Sequence, residues 1–164
     1  MLAAALVRRL RAAGMEPVVL ESDALRKVFS VDPRYDERDR EYFYGAIAFI
    51  GQVLTEQGIP VIFDATANLR SYRDRARQRI PHFIEVYVDC PIEVCIQRDP
   101  KGIYRKAREG KADHVPGLGA TYEPPENPDV VVHGDRETTD EGAGRILGVL
   151  GDRGFLGPQM KNDK

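Results

Sequence analysis

Three side chains able to manage a proton or a hard cation stand just beyond runs of apolar residues. Asp23 follows Pro17-Val-Val-Leu20, and Asp64 and Asn68 follow Ile59-Pro-Val-Ile-Phe63. A carboxylate so placed can take a proton from an attacking hydroxyl or orient Mg²⁺ through water. It can also cap the helix behind it; for Asp23, before a helix starting at Ala24, the two roles are compatible. Cationic residues come in two groups: Arg70, Arg73, Arg75, Arg77 and Arg79, then Lys101, Arg105, Lys106, Arg108 and Lys111. Each group is either a solvated helix face or a local site for a small phosphorylated anion. Between Arg98 and Pro128 the chain is densely punctuated by Pro and Gly, which set the backbone at defined points. One absence bears on the same chemistry: no Gly-x-x-x-x-Gly-Lys-Ser/Thr phosphate loop occurs in the 164 residues.

The elements that must position these groups follow from periodicity. Leu2, Leu6 and Leu10 recur every four residues and predict a helix over 2–13, closed by Gly14. A strand is expected over 17–20, a helix over 24–29, a polar loop over 32–36 and a long helix over 37–57 closed by Gly58. Then come a strand over 59–63, an Arg-rich helix over 69–80, a strand over 83–88 and a short helix over 91–97. A last strand covers 129–133 and a closing helix 139–150. Residues 1–152 read as one domain, with 153–164 as a frayed tail. Alternating β and α units with Val/Ile-rich strands predict an α/β fold, a doubly wound parallel sheet with helices on both faces. In such sheets ligands bind beyond the carboxyl ends of the strands, which gathers Asp23, Asp64 and Asn68 around one crevice.

Composition narrows the function. A chain that is 42% hydrophobic and 30% charged, with net charge −2, suits a globular domain rather than a general nucleic-acid or membrane-surface binder. No run reaches the roughly 18 apolar residues of a membrane span. Cys90 and Cys95 lack redox or zinc spacing and are expected to be reduced and partly buried, in a cytoplasmic protein. His82, His114 and His133 show no metal spacing and are expected on the surface or in loops.

Arg98-Asp-Pro-Lys-Gly-Ile-Tyr-Arg-Lys-Ala107 and Tyr122-Glu-Pro-Pro-Glu-Asn-Pro128 closely resemble the adenylylsulfate kinases. That family transfers a phosphoryl group from ATP to the 3′-hydroxyl of adenosine 5′-phosphosulfate (APS), for sulfate activation. Glu21-Ser-Asp23-Ala-Leu-Arg26 is similar to its Asp-Gly-Asp-x-x-Arg motif. The resemblance implies Asp23 and Asp64 as catalytic carboxylates, and ATP and Mg²⁺ as cofactors. It implies acceptor contacts from Arg26, Tyr35, Arg40, Asn68, Arg70, Lys101 and Val115. Arg98 and Lys101 would belong to a lid over the nucleotide. The implied partner is a small nucleotide, not nucleic acid or membrane, and a homodimer is allowed for.

The departures are specific. Phe43 stands where the family has an Asn, Val115 replaces a Phe that would stack on adenine, and Ala67 replaces a Ser. Asp64-Ala-Thr-Ala-Asn68 is closer in wording to small kinases of polynucleotide ends, sugars or polyols, which keeps another hydroxyl acceptor open. A non-catalytic nucleotide-binding protein is a further alternative. The resemblance begins about one residue beyond the family's phosphate loop, so its first strand and loop are expected to be missing, through a start placed too late or a gene fragment. That strand belongs in the middle of the sheet, where its absence leaves ladder groups unpaired. Little ATP binding is expected of the chain as written.

Overall fold

The computed structural model describes residues 1–29, 36–99, 102–109 and 120–157. Seven helices and four strands alternate along them: α1 (Leu2–Ala12), β1 (Val18–Glu21), α2 (Ser22–Phe29), α3 (Glu37–Glu56), β2 (Val61–Asp64), α4 (Arg70–Arg79), β3 (Val86–Asp89), α5 (Ile92–Arg98), α6 (Ile103–Arg108), β4 (Val130–His133) and α7 (Thr139–Asp152). The strands form two parallel pairs, β1 with β2 and β3 with β4. Val18 lies opposite Val61 and Glu21 opposite Asp64 in one pair; Val86 lies opposite Val130 and Asp89 opposite His133 in the other. Among the described residues no ladder joins the pairs. The α/β architecture is therefore the expected one, with a sheet split into halves.

Both halves nevertheless rest on shared cores. Leu6 and Leu10 of α1, Val130 and Val132 of β4 and Ile146 of α7 form one buried cluster, against which Ile62 of β2 and Val86 of β3 pack. Phe63, the next residue along β2, belongs to the other cluster, with Phe43, Tyr44 and Ile47 of α3 and Tyr72 of α4. Successive strand side chains point to opposite faces, so α1 and α7 cover one face of β2, and α3 and α4 the other. α3 approaches β2 closely at Gly51, where a Cβ would meet the Phe63 ring at 2.1 Å.

The helix ends mostly follow their sequence signals. Gly14 and Gly58 adopt φ of +77° and +75°, a conformation that glycine enters without steric cost. There Met15 N–H donates to the Leu10 carbonyl, and Ile59 N–H to that of Leu54. Asp36 caps α3 by accepting from Asp39 N–H at 2.8 Å, and Thr138 with Glu141 forms a capping box on α7.

Several boundaries shift by one to three residues from expectation, and two of the shifts have a visible cause. α2 begins at Ser22 rather than Ala24, because Glu21 reaches forward to accept from the N–H groups of Asp23 (3.3 Å) and Ala24 (2.8 Å). β3 begins at Val86 rather than Phe83, because the Asp129 carboxylate, not a strand carbonyl, receives the Glu85 N–H at 2.8 Å. Past α7, Phe155 packs edge-on against His82 and Leu156 against the α1–α7 cluster. No helix among the described residues is long and apolar enough to cross a membrane.

Candidate functional site

Every strand ends on an ionisable residue: Glu21, Asp64, Asp89 and His133. Glu21 is engaged by the start of α2, so it supports the site rather than lining it. Asp23, in the first turn of α2, is exposed, and the N-cap alternative passes from it to Glu21. Asp64 is half-buried at the end of β2. His133 is a strand residue rather than a loop one, with Nδ1 3.6 Å from the Asp89 carboxylate; His114 lies outside the described residues.

Behind these strand ends sits a buried polar cluster. The Arg26 guanidinium is 4% exposed, lies 3.9 Å from the centre of the Phe43 ring and donates to Asp39 at 3.0 Å. The Phe that takes the family's Asn position therefore has a role here: its ring face holds a desolvated cation. Arg40, next to Asp39 and also buried, donates to Asn68 Oδ1 at 3.1 Å. Asn68 Nδ2 donates to the Thr121 carbonyl at 2.8 Å, and the Asn68 carbonyl accepts from Glu123 N–H. Asp23, Arg26, Arg40, Asp64 and Asn68 thus converge at the carboxyl ends of β1 and β2.

Arg70 and Arg98 stand apart from that cluster. Arg70 pairs with Glu126 and receives Glu123 at its backbone N–H, which ties α4 to the Tyr-Glu-Pro-Pro-Glu segment. Arg98, at the end of α5, donates to the Gly134 carbonyl at 2.6 Å, beside the end of β4. Asp99 then starts α6 by accepting from the N–H groups of Tyr104 and Arg105. Desolvation raises the Asp99 pKa, but these N–H groups and the Arg105 charge outweigh it and hold the carboxyl below its usual range. Tyr35, Lys101 and Val115 lie outside the described residues.

The arginines of 70–79 are engaged within the fold rather than left as one unpaired face. Arg73 pairs with Glu85, Arg77 with Glu85 and Asp129, Arg75 with Glu41, and Arg79 with Gln52. Sequence reading missed Arg73 as a hub. Its guanidinium donates to the carbonyls of Ala67 (2.5 Å) and Glu123 (2.7 Å) as well as to Glu85 (2.6 Å). Ala67 N–H donates to the Tyr44 hydroxyl at 3.0 Å. Held on both sides, Ala67 adopts φ of +40°, a region unfavourable for a residue with a Cβ. The i, i+3, i+7 spacing of Arg70, Arg73 and Arg77 was the available signal for a shared inner face. Cys90 and Cys95 are free and half-buried, and burial, with a hydrogen bond to Cys95, pushes the Cys90 thiol up to about 11.

Among the described residues no group of three or more His, Cys, Asp or Glu could hold a metal. Mg²⁺ does not require one, since it is commonly bound by one or two carboxylates completed by phosphates and water. Asp23 and Asp64 supply hard oxygen donors of that kind.

A split parallel sheet, carboxylates beyond its strand ends and buried guanidiniums beside them define the class: a small α/β phosphotransferase. The sequence profile of the adenylylsulphate kinases matches residues 1–133, and the chain belongs to that family. It is 37% identical to the adenylyl-sulfate kinase of Synechococcus sp. (strain JA-3-3Ab), over 94% of this chain and 88% of that protein. It is 36% identical to the adenylyl-sulfate kinase of Halothermothrix orenii, over 91% and 80%. The APS kinase CysC of Mycobacterium tuberculosis, solved with AMPPNP and APS, superimposes with a TM-score of 0.84 at 32% identity, over 92% of this chain and 88% of that one. A sugar kinase from Janibacter shares the fold at 18% identity, with a TM-score of 0.61 over 95% of this chain and 89% of that one.

Proposed function

We propose that this site transfers the γ-phosphoryl group of ATP to the 3′-hydroxyl of APS. Family membership supports the reaction, as does the AMPPNP and APS complex of the mycobacterial relative. The observation that carries it is the convergence of Asp23, Arg26, Arg40 and Asn68 at the carboxyl ends of β1 and β2. Phosphoryl transfer depends on positioning and on neutralising charge more than on covalent help. In this reading Arg26 and Arg40 set a positive potential for the phosphosulfate. Asp23 takes the acceptor proton, and Asp64 with Asp23 would hold Mg²⁺, which offsets charge on the transferring phosphate. Arg98 adds positive charge from the β3–β4 side, with Lys101 and Arg70 as further contacts and Tyr35 and Val115 beside the acceptor base.

Asn68 bears on the alternative acceptor. Both ends of its amide are engaged, by Arg40 and by the Thr121 carbonyl. That makes it a pivot of the site rather than a free group for reading a sugar or polyol. ADP release by the protein at its native length, compared across APS, gluconate and other polyols, tests the assignment. Turnover with APS that Asp23→Asn lowers at least a hundredfold is expected. Turnover confined to another hydroxyl acceptor would overturn it.

A further inference from the structure

Between Asp64 and Asn68 the backbone passes through Ala67 at φ of +40°. Backbone held in such a region costs free energy and persists only where its surroundings over-determine it, a combination that clusters at functional sites. Ala67 is over-determined from both sides. Its φ and ψ are rotations of the two rigid peptide planes that flank its Cα. The plane before it is pinned by the Ala67 N–H, which donates to the Tyr44 hydroxyl at 3.0 Å. The plane after it is pinned by the Ala67 carbonyl, which accepts from Arg73 at 2.5 Å. Neither torsion can relax without breaking one of these bonds.

Both anchors are themselves fixed. Tyr44, on α3, is buried, its ring stacked 4.6 Å from that of Tyr72 and edge-on to that of Phe43. Arg73, on α4, is braced by Glu85 at 2.6 Å and by the Glu123 carbonyl at 2.7 Å. Two packed helices therefore set the shape of a turn that belongs to neither. The helix behind the turn does not need the strain, because α4 starts at Arg70, after Leu69 in ordinary extended backbone. The turn instead delivers Asn68, whose amide accepts from Arg40 at 3.1 Å and donates to the Thr121 carbonyl at 2.8 Å.

We propose that Tyr44 and Arg73 are positioning residues, which hold Ala67 in its positive-φ state so that Asn68 and Arg40 meet the acceptor in one arrangement. The proposal rests on the reading that the crevice beyond β1 and β2 takes the acceptor. A site that is competent only part of the time binds with its intrinsic affinity reduced by that fraction. Freed of one anchor, Ala67 leaves the positive-φ region in most molecules, and a competent fraction of about one tenth weakens acceptor binding about tenfold. A glycine at position 67 enters positive φ about as readily as negative, so it depends less on the clamp.

ADP release by the protein at its native length, with APS and in parallel with gluconate as acceptor, tests it, and far-UV circular dichroism checks that each variant is folded. Tyr44→Phe keeps the ring contacts and removes the acceptor of the Ala67 N–H. It should raise the acceptor KM about tenfold and change kcat less than about twofold, the mark of lost binding rather than lost chemistry. Arg73→Lys, which keeps the charge but not the planar fork, should act in the same direction. Tyr44→Phe/Ala67→Gly should bring KM back to within about threefold of the unaltered protein. A tyrosine with a merely structural role would lower kcat with the folded fraction, leave KM alone and gain nothing from Ala67→Gly. An unchanged KM in Tyr44→Phe overturns the proposal, as does a raised KM that Ala67→Gly does not reduce. A KM shift seen with gluconate while APS is not turned over upholds the clamp and overturns the APS assignment.

Discussion

The two halves of the sheet end in different kinds of structure. Beyond β1 and β2 the polar groups are packed: Arg26, Arg40 and Asn68 are 4%, 7% and 4% exposed, under the aromatic cluster of Phe43, Tyr44 and Tyr72. Beyond β3 and β4 they are open. Val88 and Ile103 are 50% and 40% exposed, α5 and α6 are short, and Arg98 is tied to the end of the sheet by a hydrogen bond to the Gly134 carbonyl. Buried, hydrogen-bonded guanidiniums keep one geometry, because any other leaves a desolvated charge unpaired. Solvated ties to exposed helices impose no such penalty. In the proposed reading, the first half holds a substrate in one pose and the second adjusts around one.

Removing a member of the packed cluster should have the largest effect. Asn68→Leu removes the acceptor that Asn68 Oδ1 offers Arg40 and the donor that Nδ2 offers the Thr121 carbonyl, and is expected to cost about 3 kcal/mol in urea unfolding. A loss under about 1 kcal/mol would mean that this half is no more committed than the other. Gly51→Ala comes next. Its Cβ would lie 2.1 Å from the Phe63 ring, and overpacking of this kind costs about 1–3 kcal/mol. Gly134→Ala is the matching probe in the open half, where Cys90 Cβ lies at 3.1 Å. The smaller drop in melting temperature is expected there, and equal drops would erase the contrast.

A milder effect concerns pH. Burial raises the Asp129 pKa, but the Glu85 N–H and the charges of Arg77 and Arg153 more than offset this and hold it below the usual carboxylate value. A depressed folded-state pKa contributes stability that is present above the unfolded value near 4 and is lost as pH falls through the folded one. Unfolding free energy should therefore fall below about pH 4, with a shallower fall in Asp129→Asn. The smallest effect belongs to Cys90. With its thiol pushed up to about 11, it should react with iodoacetamide at pH 7.5 far more slowly than a free cysteine. Alkylation at the free-cysteine rate would contradict the burial assigned to it.

The sequence exposed the periodic part of this molecule and hid the part that depends on distant partners. Leu2, Leu6 and Leu10 announce α1, and Gly14 and Gly58 end their helices because local chemistry decides those features. The role of Glu21 was hidden because a longer carboxylate reaches over two residues to do what Asp23 was expected to do. The Arg-rich run of α4 was illegible for a different reason. Arg73 and Arg77 find Glu85, Glu123 and Asp129 between 8 and 52 residues away, and no local pattern encodes such meetings. Asn68 stood out as a candidate from its place after a strand, yet its link to Thr121 across 53 residues is a product of the fold.

The most direct test of the account is a calorimetric titration of APS into the chain and two variants without ATP. Arg40→Lys keeps the charge but not the planar fork that meets Asn68, and Arg98→Ala probes the open half. The account predicts that APS binds, that Arg40→Lys weakens binding by about tenfold, and that Arg98→Ala changes it less than about twofold. An affinity lost equally in both variants, or no APS binding by the unaltered chain, would contradict it.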